Sequence, residues 1–186
     1  MVDIVMHTQS GCQPIFLVGP RCCGKTTLAG LLAQRLDLSY RDTDAILTAE
    51  ADMSVAEIVQ REGWEGFRQR ESRALIAVCL PTIPGTVVAT GGGVVLDPGN
   101  RALMRASGLV IYLDAPAALL SKRLARDQAR GASRPSLTGE DPEQELTRIL
   151  AEREPLYRES AHYSIDASHT PQTVLETIVA LLLQKQ

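Results

Sequence analysis

Residues 19–26, with the sequence G-P-R-C-C-G-K-T, constrain this 186-residue chain more than any other segment, because they have the G-x-x-x-x-G-K-[ST] spacing of a phosphate loop. The loop follows the apolar run Ile15–Val18 and precedes residues 27–36, whose pattern predicts an amphipathic helix. Such a loop points backbone N–H groups and a helix N-terminus at a phosphate group. We predict a nucleoside triphosphate site made by Cys22, Cys23, Gly24, Lys25, Thr26 and Thr27.

Composition narrows the class of protein. A formal net charge of −3 offers no basic surface for nucleic acid, so we expect no nucleic-acid partner. The first ten residues lack the basic and apolar regions of a secretory signal, and no apolar run is long enough to cross a membrane. The four cysteines have neither zinc-site nor disulfide spacing, which favours free thiols. We expect one soluble, intracellular domain without a membrane partner.

Short apolar runs alternate with helical patterns along the chain, which predicts a parallel sheet covered by helices on both faces. The predicted strands are residues 15–18, 39–41, 86–89, 110–113 and 163–165. The predicted helices are residues 26–36, 54–61, 64–80, 98–106, 116–125, 142–160 and 171–183. Residues 54–57 have the pattern of a capping box. Residues 126–140 are predicted to form a long polar loop, either a lid or a solvated insert.

Three further groups of residues suggest an acceptor for the phosphoryl group. Asp42 and Asp44 lie at the end of a predicted strand, and residues two apart in extended chain point to the same side, so both carboxylates can face one cavity. One carboxylate can hold Mg²⁺ and the other can accept a proton from a substrate hydroxyl, although such a pair also caps helices. Arg68 and Glu71 are i, i+3 neighbours on a predicted helix, either as an oriented guanidinium or as a surface ion pair. Residues 91–93 are three successive glycines, either a backbone cradle for a ligand or a flexible turn.

These motifs together resemble the shikimate kinase family. The resemblance rests on the phosphate loop, D-T-D at 42–44, F-R-x-x-E at 67–71, T-G-G-G at 90–93, R-P at 134–135 and R-x-x-L-Y at 153–157. Residues 19–21 and 53–59 are also similar to the second bacterial isoform of that family. The resemblance implies ATP-dependent phosphorylation of the 3-hydroxyl of shikimate, on the route to chorismate and the aromatic amino acids. It also implies an α/β, P-loop, nucleoside-monophosphate-kinase-like fold with three layers and a five-stranded parallel sheet.

The resemblance further implies a role for each matching residue. Lys25, Asp44 and Arg134 are the expected catalytic residues, and Arg134 also reaches the ATP phosphates from a lid at about residues 125–140. Thr26 and Asp42 are expected to hold Mg²⁺, the latter through water. The expected shikimate-binding residues, within or near an element spanning about residues 43–71, are Asp44, Arg68, Gly91, Gly92, Gly93 and Arg153. We expect a cytoplasmic monomer whose partners are shikimate and ATP.

Cys22 departs from the family pattern, which commonly has glycine there. A Cβ resists the positive φ or the close backbone approach that glycine permits there, so we expect either a slightly different loop geometry or tolerated strain. The thiol lies near a helix N-terminus, a setting that lowers the pKa of a cysteine and makes it reactive, with an inert thiol as the alternative. No diagnostic motif identifies the residues that contact the adenine base. The candidates are Arg123, Arg126 and residues 168–170.

Three rival functions remain open on the sequence. A gluconate-type kinase would lack the arginine and glycine site, and a nucleoside monophosphate kinase would have a base pocket where Arg68 and Arg153 stand. A catalytically silent sensing module would not need the full set of Lys25, Thr26, Asp42, Asp44 and Arg134.

Overall fold

The computed structural model of the chain describes residues 13–79, 85–129 and 142–184. The strands are β1 (Ile15–Val18), β2 (Ser39–Asp42), β3 (Thr86–Ala89), β4 (Leu109–Asp114) and β5 (Tyr163–Asp166). The helices are α1 (Lys25–Leu36), α2 (Thr43–Ala51), α3 (Val55–Cys79), α4 (Pro98–Ser107), α5 (Ala117–Ala129), α6 (Pro142–Ser160) and α7 (Pro171–Leu183), with a 3₁₀ turn at Val94–Leu96. No described helix is long and apolar enough to span a membrane.

The five strands form one parallel sheet in the order β2-β3-β1-β4-β5. Strand β1 is central and buried on both sides, because Ile15 and Leu17 pack into one core while Phe16 and Val18 pack into the other. This alternation is what a period of two residues produces in a sheet with helices on both faces. The predicted three-layer fold with a five-stranded parallel sheet is confirmed.

The sheet order places three functional segments next to one another. Strands β2, β3 and β1 are neighbours, and their carboxyl ends lead into Asp42, the three glycines and the phosphate loop. Ligands of open parallel sheets bind at this edge, where the direction of the chain connections reverses. The fold therefore gathers the predicted residues at one end of the sheet.

A third, smaller core supports this end of the molecule. It consists of Leu47 from α2 with Ile58, Phe67 and Ala74 from α3. Within α3, Gly63 has φ 69° and ψ 179°, which breaks the helix between its first two turns and the remainder. The two separate helices predicted for this region are therefore confirmed, with glycine at the positive φ that the break requires.

The predicted strands all appear, with ends that differ by at most a residue, and the capping box is confirmed. Ser54 N–H donates to Glu57 Oε2 at 2.8 Å, and Glu57 N–H donates to Ser54 Oγ at 3.3 Å. Helix α2 and the 3₁₀ turn were not predicted. Helix α5 continues to Ala129, so residues 126–129 are helical and the loop prediction is wrong there; residues 130–140 lie outside the described residues.

Candidate active site

The phosphate loop has the strand-loop-helix setting that its sequence predicts. Gly19 and Gly24 have φ values of 147° and 104°, and Gly24 is the N-cap of α1. Both values favour glycine because a side chain would be strained there. Lys25 Nζ donates to the carbonyl oxygens of Gly19 and Pro20 at 2.8 and 2.7 Å. The ammonium group therefore spans the interior of the loop, where a triphosphate would meet it.

The backbone of Cys22 agrees with the tolerated-strain alternative, and the pKa of its thiol contradicts the expected lowering. Its φ is 62°, the left-handed conformation that glycine adopts at no cost. Burial raises the pKa of its thiol, and the nearby Asp127 carboxylate raises it further. The expected lowered pKa is wrong because these two effects exceed the favourable influence of Arg21 and Lys25.

A pocket of about 500 Å³ extends from the phosphate loop to α5 and the start of α7. Arg123 crosses its wall, donating from Nη1 to the carbonyl oxygens of Cys22 and Cys23 at 3.3 and 3.4 Å and from Nη2 to Ala167 O at 3.1 Å. Of the adenine candidates, Arg123 and His169 line this pocket. Arg126, Ser168 and Thr170 are described but are not among its lining residues.

Thr26 and Asp42 lie at one end of this pocket. Thr26 Oγ1 donates to Asp42 Oδ2 at 3.0 Å, and Tyr40 donates to the same oxygen at 3.2 Å. The other carboxylate oxygen of Asp42 caps α2 by accepting from the N–H groups of Asp44 and Ala45 at 2.9 and 3.3 Å. The helix-capping alternative for Asp42 is thus confirmed, and the carboxylate is held firmly.

Asp42 and Asp44 do not both lie in extended chain, contrary to the prediction. Strand β2 ends at Asp42, and Asp44 lies in the first turn of α2. Both residues nevertheless line the large pocket, because the helix begins at the sheet edge and its first turn faces the phosphate loop. The position of the two carboxylates was predicted correctly for an incorrect reason.

A second, smaller pocket adjoins the first and contains the predicted arginine site. Arg68 Nη1 lies 2.5 Å from Glu71 Oε2, and the Glu71 side chain is only 1% exposed. Burial raises the pKa of Glu71, while the neighbouring Arg68 charge acts in the opposite direction. The Arg68 guanidinium also lies over the rings of Trp64 and Phe67, 5.7 and 5.2 Å from their centres. The ion pair is part of a structured pocket and not a surface pair.

The glycine segment closes this pocket from the sheet side. A Cβ atom at Gly91 would overlap Glu71, and one at Gly93 would overlap the Arg68 guanidinium. Gly91 N–H donates to the buried Thr43 Oγ1 at 3.0 Å. In the part of the chain that the structure describes, the N–H groups of Gly92 and Gly93 have no acceptor. These two groups are thus available to a ligand.

Helix α6 contributes the second predicted arginine. Arg153 lines the small pocket and donates from Nη1 to Gly92 O at 3.3 Å. Its Nε atom is buried and has no hydrogen-bond partner among the described residues. A buried guanidinium N–H without an acceptor is costly, so this atom is suited to an anionic ligand.

The two pockets join at three residues, since Arg21, Asp44 and Gly92 line both of them. The small pocket contains three arginines and two carboxylates, one cation more than anions, which suits a ligand with one carboxylate. The described residues include no cluster of three or more metal-binding side chains. Arg134, the predicted lid arginine, lies outside the described residues.

Four of the residues that line the small pocket were not predicted as site residues: Arg21, Val55, Trp64 and Phe67. Arg21 occupies a position of the loop motif that accepts any residue, so the motif gave no signal for it. The three apolar residues follow a helical pattern that normally indicates core packing, and only the kink at Gly63 and the adjacent Arg68 distinguish them.

Comparison with known families and relatives agrees with this geometry. Residues 21–183 match the sequence profile of the family described as shikimate kinase. A shikimate kinase 2 of Yersinia pestis is 52% identical over 170 residues, which cover 91% of this chain and 95% of the relative. A shikimate kinase 2 of Escherichia fergusonii is 51% identical over 172 residues, covering 92% and 93% of the two chains.

Solved structures show the same similarity in three dimensions. The shikimate kinase of Acinetobacter baumannii in complex with shikimate superposes with a TM-score of 0.86 at 35% identity, covering 94% of this chain and 95% of that one. The shikimate kinase of Bacteroides thetaiotaomicron gives a TM-score of 0.80 at 27% identity, covering 91% and 98%.

Proposed function

The chain belongs to the shikimate kinase family, and we propose that its two joined pockets bring the γ-phosphoryl group of ATP to the 3-hydroxyl of shikimate. One observation carries the proposal: Asp44 and Gly92 line both the phosphate-loop pocket and the arginine pocket. A group bound in one pocket therefore meets a group bound in the other beside a carboxylate. Phosphoryl transfer depends mainly on such positioning and on charge stabilisation.

The arginine pocket is the proposed shikimate site. Arg68 and Arg153 clamp the substrate carboxylate, since planar guanidinium groups match a carboxylate through paired hydrogen bonds. Glu71 fixes the orientation of Arg68 through their 2.5 Å contact. The rings of Trp64 and Phe67 form the apolar wall for the carbocyclic ring, and the N–H groups of Gly92 and Gly93 donate to its polar groups. Gly91 contributes by admitting the Glu71 side chain.

Asp44 is the proposed base. It sits where the pockets meet, so it can accept the proton of the 3-hydroxyl while that oxygen bonds to the γ-phosphorus and the bond to the departing ADP oxygen breaks. Lys25 exchanges its contacts with Gly19 and Pro20 for the β- and γ-phosphates. The loop residues Cys22, Cys23, Gly24, Thr26 and Thr27 bind the phosphates from the N-terminus of α1, where the helix dipole favours negative charge.

Mg²⁺ is the proposed metal, and the donor set at Thr26 and Asp42 fits it. This ion is usually held by one or two protein oxygen groups together with substrate phosphates, and here a hydroxyl and a carboxylate lie 3.0 Å apart beside the phosphate loop. Thr26 would hold the ion directly and Asp42 through water. When bound, the ion neutralises charge on the phosphates during transfer.

The remaining assignments concern the lid and the setting of the reaction. We infer that a lid following α5, which ends at Ala129, carries Arg134 to the ATP phosphates, as an arginine that stabilises charge in the transition state. The enzyme acts as a monomer in the cytoplasm, where ATP is available and where Cys22, Cys23 and Cys79 remain free thiols. The substrate-binding element at about residues 43–71 and the lid are parts of one domain.

A coupled assay of ADP release with Mg²⁺-ATP tests the proposed acceptor. Shikimate, quinate, gluconate and AMP are compared at equal concentrations, and we expect turnover with shikimate alone. Turnover with gluconate or AMP instead would contradict the role of the two arginines. No turnover with any acceptor, despite ATP binding, would favour the silent sensing module.

A further inference from the structure

Tyr157 is a fully buried residue of α6 whose hydroxyl group touches the glycine segment. The hydroxyl donates to Gly92 O at 2.5 Å, and the ring stacks on Tyr112 with 5.2 Å between ring centres. None of the roles proposed above uses this residue. The stacking holds the ring in one orientation, so the hydroxyl presents a fixed donor to one carbonyl.

The Gly92 carbonyl has two donors, both from the same face of α6. Arg153 Nη1 donates from one helical turn before Tyr157, at 3.3 Å. Residues four apart lie above one another on a helix, so α6 holds this carbonyl with a pair of groups. The same pair connects the carbonyl to the arginine of the shikimate clamp.

Fixing a carbonyl also fixes the N–H group of the same peptide. The described part of the chain contains no cis peptide bond, and in a trans peptide the C=O and N–H bonds point in opposite directions. The Gly92 carbonyl points towards α6, so the Gly93 N–H points away from that helix. Gly93 lines the shikimate pocket, its N–H has no acceptor among the described residues, and its Cα lies against the Arg68 guanidinium.

We propose that Tyr157 is a positioning residue that aims the Gly93 N–H into the shikimate pocket. This inference rests on the proposed function of that pocket. Glycine peptides rotate easily because no Cβ restricts them, so a donor built from three successive glycines needs an external support. Tyr157 supplies that support from behind, while Arg153 uses the same carbonyl as an anchor for its own orientation.

The variant Tyr157→Phe tests the proposal because it removes the hydroxyl and retains the ring. We expect KM for shikimate to rise about tenfold, the effect of losing roughly one well-formed hydrogen bond, while KM for ATP stays within about twofold. Tyr112→Phe is the matched control. It retains the same ring stack and loses a hydroxyl that donates to Asp114 Oδ1 at 3.2 Å, away from the glycine segment.

Two readouts separate positioning from a merely structural role. Trp64 is the only tryptophan of the chain and lines the shikimate pocket, so its fluorescence reports shikimate binding without turnover. The ¹⁵N–¹H signal of Gly93 should shift on shikimate addition in the wild-type protein and shift less in Tyr157→Phe. An unchanged KM and Gly93 response in Tyr157→Phe, or equal losses in both variants, would overturn the proposal.

The response of the wild-type protein to shikimate distinguishes failure of the positioning role from failure of the proposed function. Absence of both turnover and fluorescence change with shikimate would overturn the proposed function, and the positioning role with it. A shikimate response in the wild-type protein that survives unaltered in Tyr157→Phe would overturn the positioning role alone.

Discussion

At the residue scale, the proposed shikimate site depends on Glu71, a buried carboxylate that does not need to touch the substrate. Its side chain is 1% exposed and lies 2.5 Å from Arg68, whose guanidinium also contacts the rings of Trp64 and Phe67. A charge-assisted hydrogen bond in such surroundings contributes about 1.5–3 kcal/mol. Glu71 therefore sets the orientation of Arg68, one of the two arginines of the proposed carboxylate clamp.

Replacing Glu71 by glutamine should weaken shikimate binding. We expect Glu71→Gln to raise KM for shikimate about tenfold to a hundredfold, with KM for ATP little changed, because the neutral amide holds Arg68 less firmly. Steady-state kinetics with each substrate varied in turn measures the difference. Glu62→Gln is the control, since Glu62 pairs with Arg70 on the exposed side of the same helix at 2.7 Å. Equal effects of the two variants would contradict the account.

The pH dependence of shikimate binding follows from the same carboxylate. Burial raises the pKa of Glu71 above that of an ordinary glutamate, so it gains a proton at a higher pH as the solution is acidified. KM for shikimate should rise as pH falls through this raised pKa, and the rise should be smaller in Glu71→Gln. The contribution of Glu71 to folding stability has the opposite pH dependence. The folded state binds the Glu71 proton more tightly than the unfolded state does, so this contribution to the free energy of unfolding falls as pH rises through the raised pKa.

Cys22 is the second informative residue, since it adopts φ 62° in the phosphate loop. A left-handed conformation costs a residue with a Cβ about 1–2 kcal/mol, while glycine loses about 0.5–1 kcal/mol more conformational entropy on folding. Cys22→Gly should therefore raise the free energy of unfolding by up to about 1 kcal/mol, measured by urea denaturation. Asp37→Gly, at φ 54° and away from the site, should give no larger a gain. A loss of stability in Cys22→Gly would contradict this view of the loop.

At the scale of secondary-structure elements, the break in α3 determines which side chains line the proposed shikimate pocket. Gly63 interrupts the helix at φ 69° just before Trp64, Phe67 and Arg68. The residues before the break pack on α2 through Ile58, and those after it reach the sheet through Leu75. The change of direction lets one element support both the pocket wall and the core.

Alanine at Gly63 should disturb both stability and binding. Alanine resists positive φ, so Gly63→Ala should cost about 1 kcal/mol or more and raise KM for shikimate. The matched control is Gly30→Ala in α1, where φ is negative and a Cβ would meet no atom within 4 Å. That change should stabilise the protein by about 0.5–1 kcal/mol and leave KM unchanged. Urea denaturation measures the stability of each variant, and steady-state kinetics measures its KM for shikimate. Similar effects of the two substitutions would contradict the role given to the break at Gly63.

Most elements were predictable from local signals, and the exceptions have physical causes. Strands β1 and β3 are continuous apolar runs, so their bounds agree with prediction, and the capping box at Ser54 and Glu57 marks a helix start unambiguously. Helix α2 was missed because two aspartates at this spacing are typical both of a metal site and of a helix N-terminus, so the sequence does not distinguish the two. In the structure Asp42 caps the helix while lying next to Thr26.

The sequence predicted those residues of the candidate site that belong to motifs defined by residue type. Arg68, Arg153 and the glycines are specified by residue type at fixed spacing. Arg21 and Tyr157 were assigned no role because their places in the site depend on the fold. The carbonyl that Tyr157 contacts belongs to Gly92, 65 residues earlier in the chain. The raised pKa of Cys22 was missed for the same reason, since its burial and the approach of Asp127 both arise only in the folded chain.

At the scale of the whole molecule, the two pockets are expected to respond to ligands separately. A ligand at about a hundred times its dissociation constant stabilises the folded state by about 2.7 kcal/mol. EDTA should abolish turnover and reduce the rise in Tm that ATP produces, because Thr26 and Asp42 would no longer share an ion with the phosphates. The rise produced by shikimate should persist, since the arginine pocket has no metal in this account. Differential scanning fluorimetry measures both, and loss of the shikimate effect in EDTA would contradict this separation.

The central claim is that phosphoryl transfer takes place beside Asp44, where the two pockets meet. The most direct test measures turnover of Asp44→Asn with saturating shikimate and Mg²⁺-ATP, after Trp64 fluorescence has confirmed that shikimate binds. Asparagine keeps the shape of the side chain and cannot accept the proton, so we expect kcat to fall by about 10²–10⁴-fold with both ligands still bound. A kcat within about threefold of the wild-type value would contradict the claim.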